Sequence, residues 1–172
     1  MTATACGVGV EGTGWVGRPA LVVTAAHVVA GADDIQVNGE PADAWAVDHK
    51  NDVAVLHVAD LEADPLPLAR AEPGTAVAIL GYPENGPFDA RAGRIGRTAN
   101  VVAAGHFRTV TALSGLIRPG NSGGPAVDGR GAVRTTVFAS RLGSPGGYGI
   151  PDREVRRVLE RARSPVPTGD CG

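Results

Sequence analysis

At 172 residues the chain has the size of one ordinary domain, and its 43% hydrophobic and 20% charged residues suit a soluble protein that buries a core and exclude a disordered one. Its formal net charge of −2 and lack of Lys/Arg clusters give no electrostatic footprint for nucleic acid or an anionic membrane surface. No apolar run nears the roughly eighteen residues of a membrane span, and the N-terminus lacks the basic-then-apolar order of a signal peptide, so the sequence as it stands is expected to be soluble.

The 25 glycines and 13 prolines lie between short apolar runs, which predicts many turns. In chain order the predicted strands are Gly14–Val16, Ala20–Thr24, Ile35–Val37, Ala44–Val47, Val53–Val58, Ala76–Leu80, Phe107–Thr111 and Ala132–Ala139, each rich in apolar or β-branched residues. A Pro/Gly-rich stretch, Tyr82–Asp89, divides this pattern into two halves. Only Asp152–Arg163 predicts a helix: Asp152 follows Pro151 as a start signal, Val155, Val158 and Leu159 share one face, and arginines fill the rest. Many short strands with one late helix predict an all-β sandwich or barrel. Cys6 and Cys171 lie near the two ends. They are either two separate thiols or a bridge, which would stabilise by roughly 5 kcal/mol on the loop-closure argument and would imply an oxidising compartment.

Three segments carry candidate chemistry. Thr24-Ala25-Ala26-His27 presents a histidine at the end of the strand containing Leu21-Val22-Val23. Asn51-Asp52 places an acid at the mouth of the strand Val53–Val58, and Pro119-Gly120-Asn121-Ser122-Gly123-Gly124-Pro125 is a Gly-rich serine loop. Each alone is an ordinary structural feature. Together they supply what acyl transfer needs: Ser122 as a hydroxyl nucleophile, His27 to accept its proton, and Asp52 to fix the imidazole tautomer. Glycines beside Ser122 let the backbone turn N–H groups toward a developing oxyanion, with Gly120 and Ser122 as the donors.

Residue order excludes rivals. Gly120-Asn121-Ser122-Gly123-Gly124 also fits the nucleophile elbow of α/β-hydrolases, which needs a later histidine, and none follows Ser122. A subtilisin-like order would need an Asp before His27, and there is none. His49, His57 and His106 read as structural or solvent-exposed. Gly7–Gly12 and Gly12–Gly17 both satisfy Gly-x-Gly-x-x-Gly, but Arg18-Pro19 and a strand follow, so no helix N-terminus is available for a pyrophosphate. His, Cys and acidic residues do not cluster at metal-ligand spacing, so no metal and no cofactor is expected.

Thr-Ala-Ala-His, Asp-Val-Ala-Val-Leu and Gly-Asn-Ser-Gly-Gly-Pro resemble the three signature segments of the chymotrypsin-like (trypsin-like) serine proteases. That resemblance implies two packed six-stranded antiparallel β-barrels with the His27, Asp52 and Ser122 side chains in the cleft between them. The expected layout is a single protease domain over 1–172, with barrels at about 6–82 and 90–151 and a helix at 152–163. It also implies a specificity pocket walled by Leu113–Arg118, including Leu116 and Ile117, and by Phe138, Ala139 and Ser140 opposite. These segments contain no carboxylate and a basic substrate side chain would face Arg118, so uncharged, apolar side chains are expected to be preferred. Asn121 stands where secreted digestive relatives carry an Asp that pairs with a freshly cut N-terminus, so activation is not expected to use that salt bridge.

Glu11–Val16, Ala26–Gly31, Leu80-Gly81-Tyr82-Pro83, Val137-Phe138 and Thr168–Cys171 further resemble the protease domain of MarP-type actinobacterial proteases. This implies a periplasm-facing domain acting on protein or peptide substrates in acid resistance, an upstream membrane anchor outside this sequence, and the Cys6–Cys171 bridge; the domain is expected to be monomeric. Several loops are shorter than in that family, so substrate preference does not carry over. Two other readings are a catalytically silent, protein-binding module on the protease fold and an HtrA-type protease lacking its peptide-binding domain.

Overall fold

The computed structural model describes residues 1–103, 106–140 and 145–170, without the side chains of Ala103 and His106. The N-terminal half contains strands β1 (Thr2–Ala5), β2 (Val8–Glu11), β3 (Trp15–Arg18) and β4 (Leu21–Thr24), the one-turn helix α1 (Ala26–Val29), and strands β5 (Ala32–Val37), β6 (Glu40–Pro41), β7 (Asp43–Asp48) and β8 (Val53–His57). The C-terminal half contains β9 (Ala76–Gly81), β10 (Asp89–Ala103), β11 (His106–Gly115), β12 (Pro125–Asp128), β13 (Val133–Ser140), β14 (Gly147–Pro151) and helix α2 (Asp152–Arg161).

Strands β9 to β14 close into a six-stranded antiparallel barrel in the order β10-β11-β14-β13-β12-β9. Among the described residues the expected second barrel is not closed. The N-terminal strands instead form two four-stranded sheets, β2-β1-β5-β6 and β3-β4-β8-β7. At the edge of the first, β6 has two residues and one is Pro41, which lacks an amide hydrogen and cannot extend the ladder. The division between halves also moves. Residues Ala76–Gly81 were expected in the N-terminal half but pair with β10 (Ile79↔Arg91) and β12 (Ile79↔Ala126). Val77 and Ile79 are buried with Ile95, Leu113, Ala126 and Val137 inside the barrel. The crossing between halves therefore runs through residues 58–75, and Tyr82–Asp89 is a connection within the barrel.

Central strands β4 and β8 are apolar on both faces because both faces are covered. Val22, Ala54 and Leu56 face a cluster with Ala26, Val29 and Ile35. Val23, Val53 and Val55 face the opposite way, onto Val28, Val133 and Ile150 and onto Val155, Val158 and Leu159 of α2. Each such valine or leucine contributes roughly 2 kcal/mol by leaving water. This second cluster draws residues from both halves and fixes one against the other. Buried Trp15 Nε1 adds a hydrogen bond to Thr136 Oγ1 at 3.1 Å across the same boundary. Helix α2 ends at Arg161, two residues before the expected end: Ala162 leaves the helical region, and Pro165 lies shortly beyond it.

Candidate active site

His27 sits on α1, a single turn whose Ala26, Val28 and Val29 point into the core. Three apolar anchors in four residues leave the remaining side chain, His27, at the surface with 48% of it exposed. Asp52 lies in the turn between β7 and β8. The turn is shaped by Asp48, which accepts hydrogen bonds from the Asn51 amide at 3.0 Å and the Asn51 side chain at 2.8 Å. Asp52 follows at φ +59°, in the left-handed region that Asp tolerates better than most residues. Its side chain is 10% exposed and engages His27 twice. Oδ1 accepts the His27 backbone N–H at 2.8 Å and Oδ2 lies 2.8 Å from Nδ1. The backbone bond holds the carboxylate in place, so the second oxygen fixes the ring's orientation and places a proton on Nδ1. Nε2 is left as the nitrogen able to accept a proton.

Ser122 lies in the tight turn between β11 and β12. The Asn121 amide donates to Arg118 O at 3.1 Å and the Gly124 amide to Asn121 O at 2.9 Å. Gly123 has φ +83°, and a Cβ there would lie 2.8 Å from the Ala25 nitrogen and closer still to Thr13 O and Thr24 Oγ1. Only glycine lets this loop press onto the segment leading into His27. The Thr13 amide also donates to Ser122 O at 2.8 Å. Among the described residues the Ser122 hydroxyl makes no hydrogen bond, a common condition when no substrate is bound. Those residues also provide no acceptor for the N–H groups of Gly120 and Ser122. Two amides without acceptors beside a hydroxyl suit a developing negative oxygen.

The expected pocket residues diverge. Leu116 is half-exposed, Ile117 packs toward Val137 and the barrel core, and Ser140 is exposed. Phe138 is mostly covered, stacked on Tyr148 with centroids 6.5 Å apart and with the Arg108 guanidinium 5.6 Å above its ring. Gly147, absent from the sequence reading, lies between the two walls. A Cβ there would meet Ile117 Cδ1 at 2.9 Å and Ala139 O at shorter range, so only a glycine lets the β14 backbone pack this closely against both walls. Arg118 does not present a free charge. Its guanidinium donates to Asp89 Oδ2 at 2.8 Å, as does that of Arg91. The Arg91 hydrogen bond first, then that of Arg118, holds the Asp89 carboxyl below the usual carboxylate range.

The trypsin-like peptidase domain family matches residues 12–134. Serine protease Rv3671c of Mycobacterium tuberculosis is 36% identical over 178 residues, an alignment covering 94% of this chain and 45% of the relative. The chain belongs to the trypsin-like serine proteases. The crystal structure of the active form of Rv3671c superposes with a TM-score of 0.90 at 34% identity, covering 99% of this chain and 83% of that one. Its inactive form gives 0.78, at 31% identity over 95% and 88%, so the chain superposes more closely on the active form of that relative. A probable periplasmic serine endoprotease, DegP-like, from Marinomonas is 27% identical over 169 residues, 89% of this chain and 35% of that protein. The chain thus spans less than half the length of these curated relatives.

The other sequence candidates lie elsewhere in the fold. His57 stacks on Trp45 at 4.0 Å and 8°, and the His49 ring lies against Gly169. The side chain of His106, and Cys171, lie outside the described residues. Thr13 enters the sequence reading only as part of Gly12–Gly17 and Glu11–Val16, with no role of its own. A threonine between two glycines gives no signal until the distant segments it binds are assembled around it.

Proposed function

We propose that this chain is the catalytic domain of a serine endopeptidase, carried most directly by the two-point grip of Asp52 on His27 beside the Ser122 loop. Ser122 Oγ attacks the scissile carbonyl while His27 Nε2 takes its proton, and Asp52 stabilises the resulting imidazolium. The amides of Gly120 and Ser122 receive the oxyanion of the tetrahedral intermediate. Collapse breaks the C–N bond. His27 returns its proton to the leaving amine, and water, deprotonated by His27, hydrolyses the acyl-enzyme.

Ile117 and Ala139 line the proposed pocket for an uncharged, apolar side chain, with Leu116 at its rim and Phe138 and Ser140 toward neighbouring substrate residues. Arg118, already paired with Asp89, contributes little to rejecting bases; the missing carboxylate is what leaves a Lys or Arg without a partner. The whole of 1–172 is taken as one monomeric protease domain, with the two N-terminal sheets as the counterpart of a second barrel. The Cys6–Cys171 bridge is part of the same reading. Thr168 Oγ1 donates to Ala32 O and the Cys6 amide to the adjacent Gly31 O, which brings the tail toward the β1–β2 turn. The MarP-type resemblance and the periplasmic relative favour an extracytoplasmic location, anchorage by a segment outside this sequence, and a role in acid stress.

Incubation with unfolded casein tests the activity. The wild type yields fragments by mass spectrometry, and Ser122→Ala and His27→Ala, each folded by circular dichroism, do not. Equal cleavage by Ser122→Ala, or an inert wild type, refutes the proposal; an inert wild type that still captures unfolded protein points to the silent binding module.

A further inference from the structure

We propose that Thr13 is a positioning residue for the oxyanion donors, using its buried hydroxyl to set the orientation of the loop that bears Gly120 and Ser122. This rests on reading those two amides as the oxyanion hole.

The N–H and C=O of a trans peptide point in opposite directions within one plane, so holding a carbonyl aims the amide that shares its plane. The Gly120 N–H shares a plane with Pro119 O, which accepts from the Glu84 amide at 3.0 Å. The Ser122 N–H shares one with Asn121 O, which accepts from the Gly124 amide at 2.9 Å. Both donors are thus directed away from the groups that hold their carbonyls. The peptide between them, formed by Gly120 C=O and Asn121 N–H, couples the two. Its carbonyl accepts from Thr13 Oγ1 at 2.7 Å, the one side-chain hydrogen bond to the backbone of residues 118–122 among the described residues.

Thr13 is 3% exposed, and its polar atoms meet the serine loop, the connection that holds it and the strand leading to His27. Oγ1 also accepts from the Tyr82 amide at 3.1 Å, in the connection that holds Pro119. Its amide holds Ser122 O at 2.8 Å. Its carbonyl accepts from Thr24 Oγ1 at 2.8 Å, three residues before His27. Gly120, at φ +89°, lies so close to this connection that a Cβ would meet Tyr82 O at 2.6 Å and the Glu84 nitrogen at 2.8 Å. Rotation of the Gly120–Asn121 peptide breaks the Thr13 bond, leaves a buried hydroxyl donor unpaired, and carries both flanking amides off target.

Thr13→Ala and Thr13→Ser test this, because both are smaller than threonine, neither can clash, and they differ by one hydroxyl. With a fluorogenic peptide, Thr13→Ala is expected to lower kcat by about tenfold to a hundredfold with KM within about twofold, while Thr13→Ser stays within about threefold of wild type. A peptide aldehyde, whose hemiacetal oxygen occupies the oxyanion position, should lose affinity for Thr13→Ala by a similar factor, while the matching peptide alcohol should not. Equal kcat for the two variants, or a loss confined to melting temperature or KM, overturns the proposal. Should Thr13→Ala fail to fold, Thr13→Val, which keeps the shape without the hydroxyl, takes its place. A wild type that binds aldehyde no better than alcohol refutes the oxyanion reading itself, and the Thr13 proposal with it. A wild-type preference that persists undiminished in Thr13→Ala refutes Thr13 alone.

Discussion

Replacing Gly123 by alanine adds one carbon where the serine loop presses on the segment leading to His27. The backbone there is left-handed, at φ +83°, which costs an L-residue roughly 1–2 kcal/mol. The new Cβ would lie 2.8 Å from the Ala25 nitrogen and closer to Thr13 O and Thr24 Oγ1, so the loop must retreat or the buried Thr24–Thr13 hydrogen bond must open. Opening it costs about 1–3 kcal/mol, and the two effects together reach roughly 2–5 kcal/mol, a large part of an ordinary domain's stability. The melting temperature should fall by about 10 °C for a chain of this length. Relief by retreat moves Ser122 away from the histidine, and a displacement near 1 Å costs on the order of a hundredfold in rate. Scanning calorimetry and kcat/KM measured well below both melting points read the two effects separately. A Gly123→Ala enzyme that melts with the wild type and stays within about threefold of its kcat/KM would refute the packing argument.

Asp52→Asn should keep the bond from the His27 backbone N–H to the side-chain oxygen but present an NH2 group to Nδ1. The imidazole proton then moves to Nε2, where it blocks acceptance of the serine proton, and kcat should fall on the order of 10⁴-fold; a loss under about tenfold in steady-state assays would contradict the assigned role. Asp128 accepts from the Ala132 and Arg130 amides and pairs with Arg134, contacts that hold its carboxyl below the usual range. A depressed folded-state value stabilises above the unfolded value and stops doing so as pH falls through the folded one. The stability gap between wild type and Asp128→Asn in urea titrations should therefore be constant above about pH 4 and shrink below it, and a gap unchanged at pH 3 would contradict this. A peptide-library profile should favour uncharged, apolar side chains at the cleaved position; a wild type that prefers Lys or Arg would overturn the pocket assignment.

The elements legible in the sequence were those whose own residues carry the signal. Val53–Leu56 is uniformly apolar because both its faces are covered, α2 shows its buried stripe, and the His27, Asp52 and Ser122 segments stand out by their motifs. The long β10 was invisible. Its Asp-Ala-Arg-Ala-Gly-Arg start alternates small and charged residues and becomes a strand only through pairing with β9 and β11, a case of partners overriding propensity. β1 and β2 share that origin, being short and paired mainly with each other and β5. The assignment of β9 failed for a related reason: Pro and Gly in Tyr82–Asp89 mark a turn, but a turn within a barrel and one between halves look alike locally. α1 is too short for any periodicity, the left-handed turn at Asp52 has no signal in residue type alone, and the close packing at Gly147 and the Thr13 contacts exist only between distant segments.

The central claim is that Ser122 is the activated nucleophile. Treating the folded protein with a fluorophosphonate and mapping the adduct by tandem mass spectrometry tests this directly. The expected result is a single adduct on Ser122, lost when His27 is replaced by alanine. No adduct, or one on another residue with Ser122 unmodified, would contradict the account.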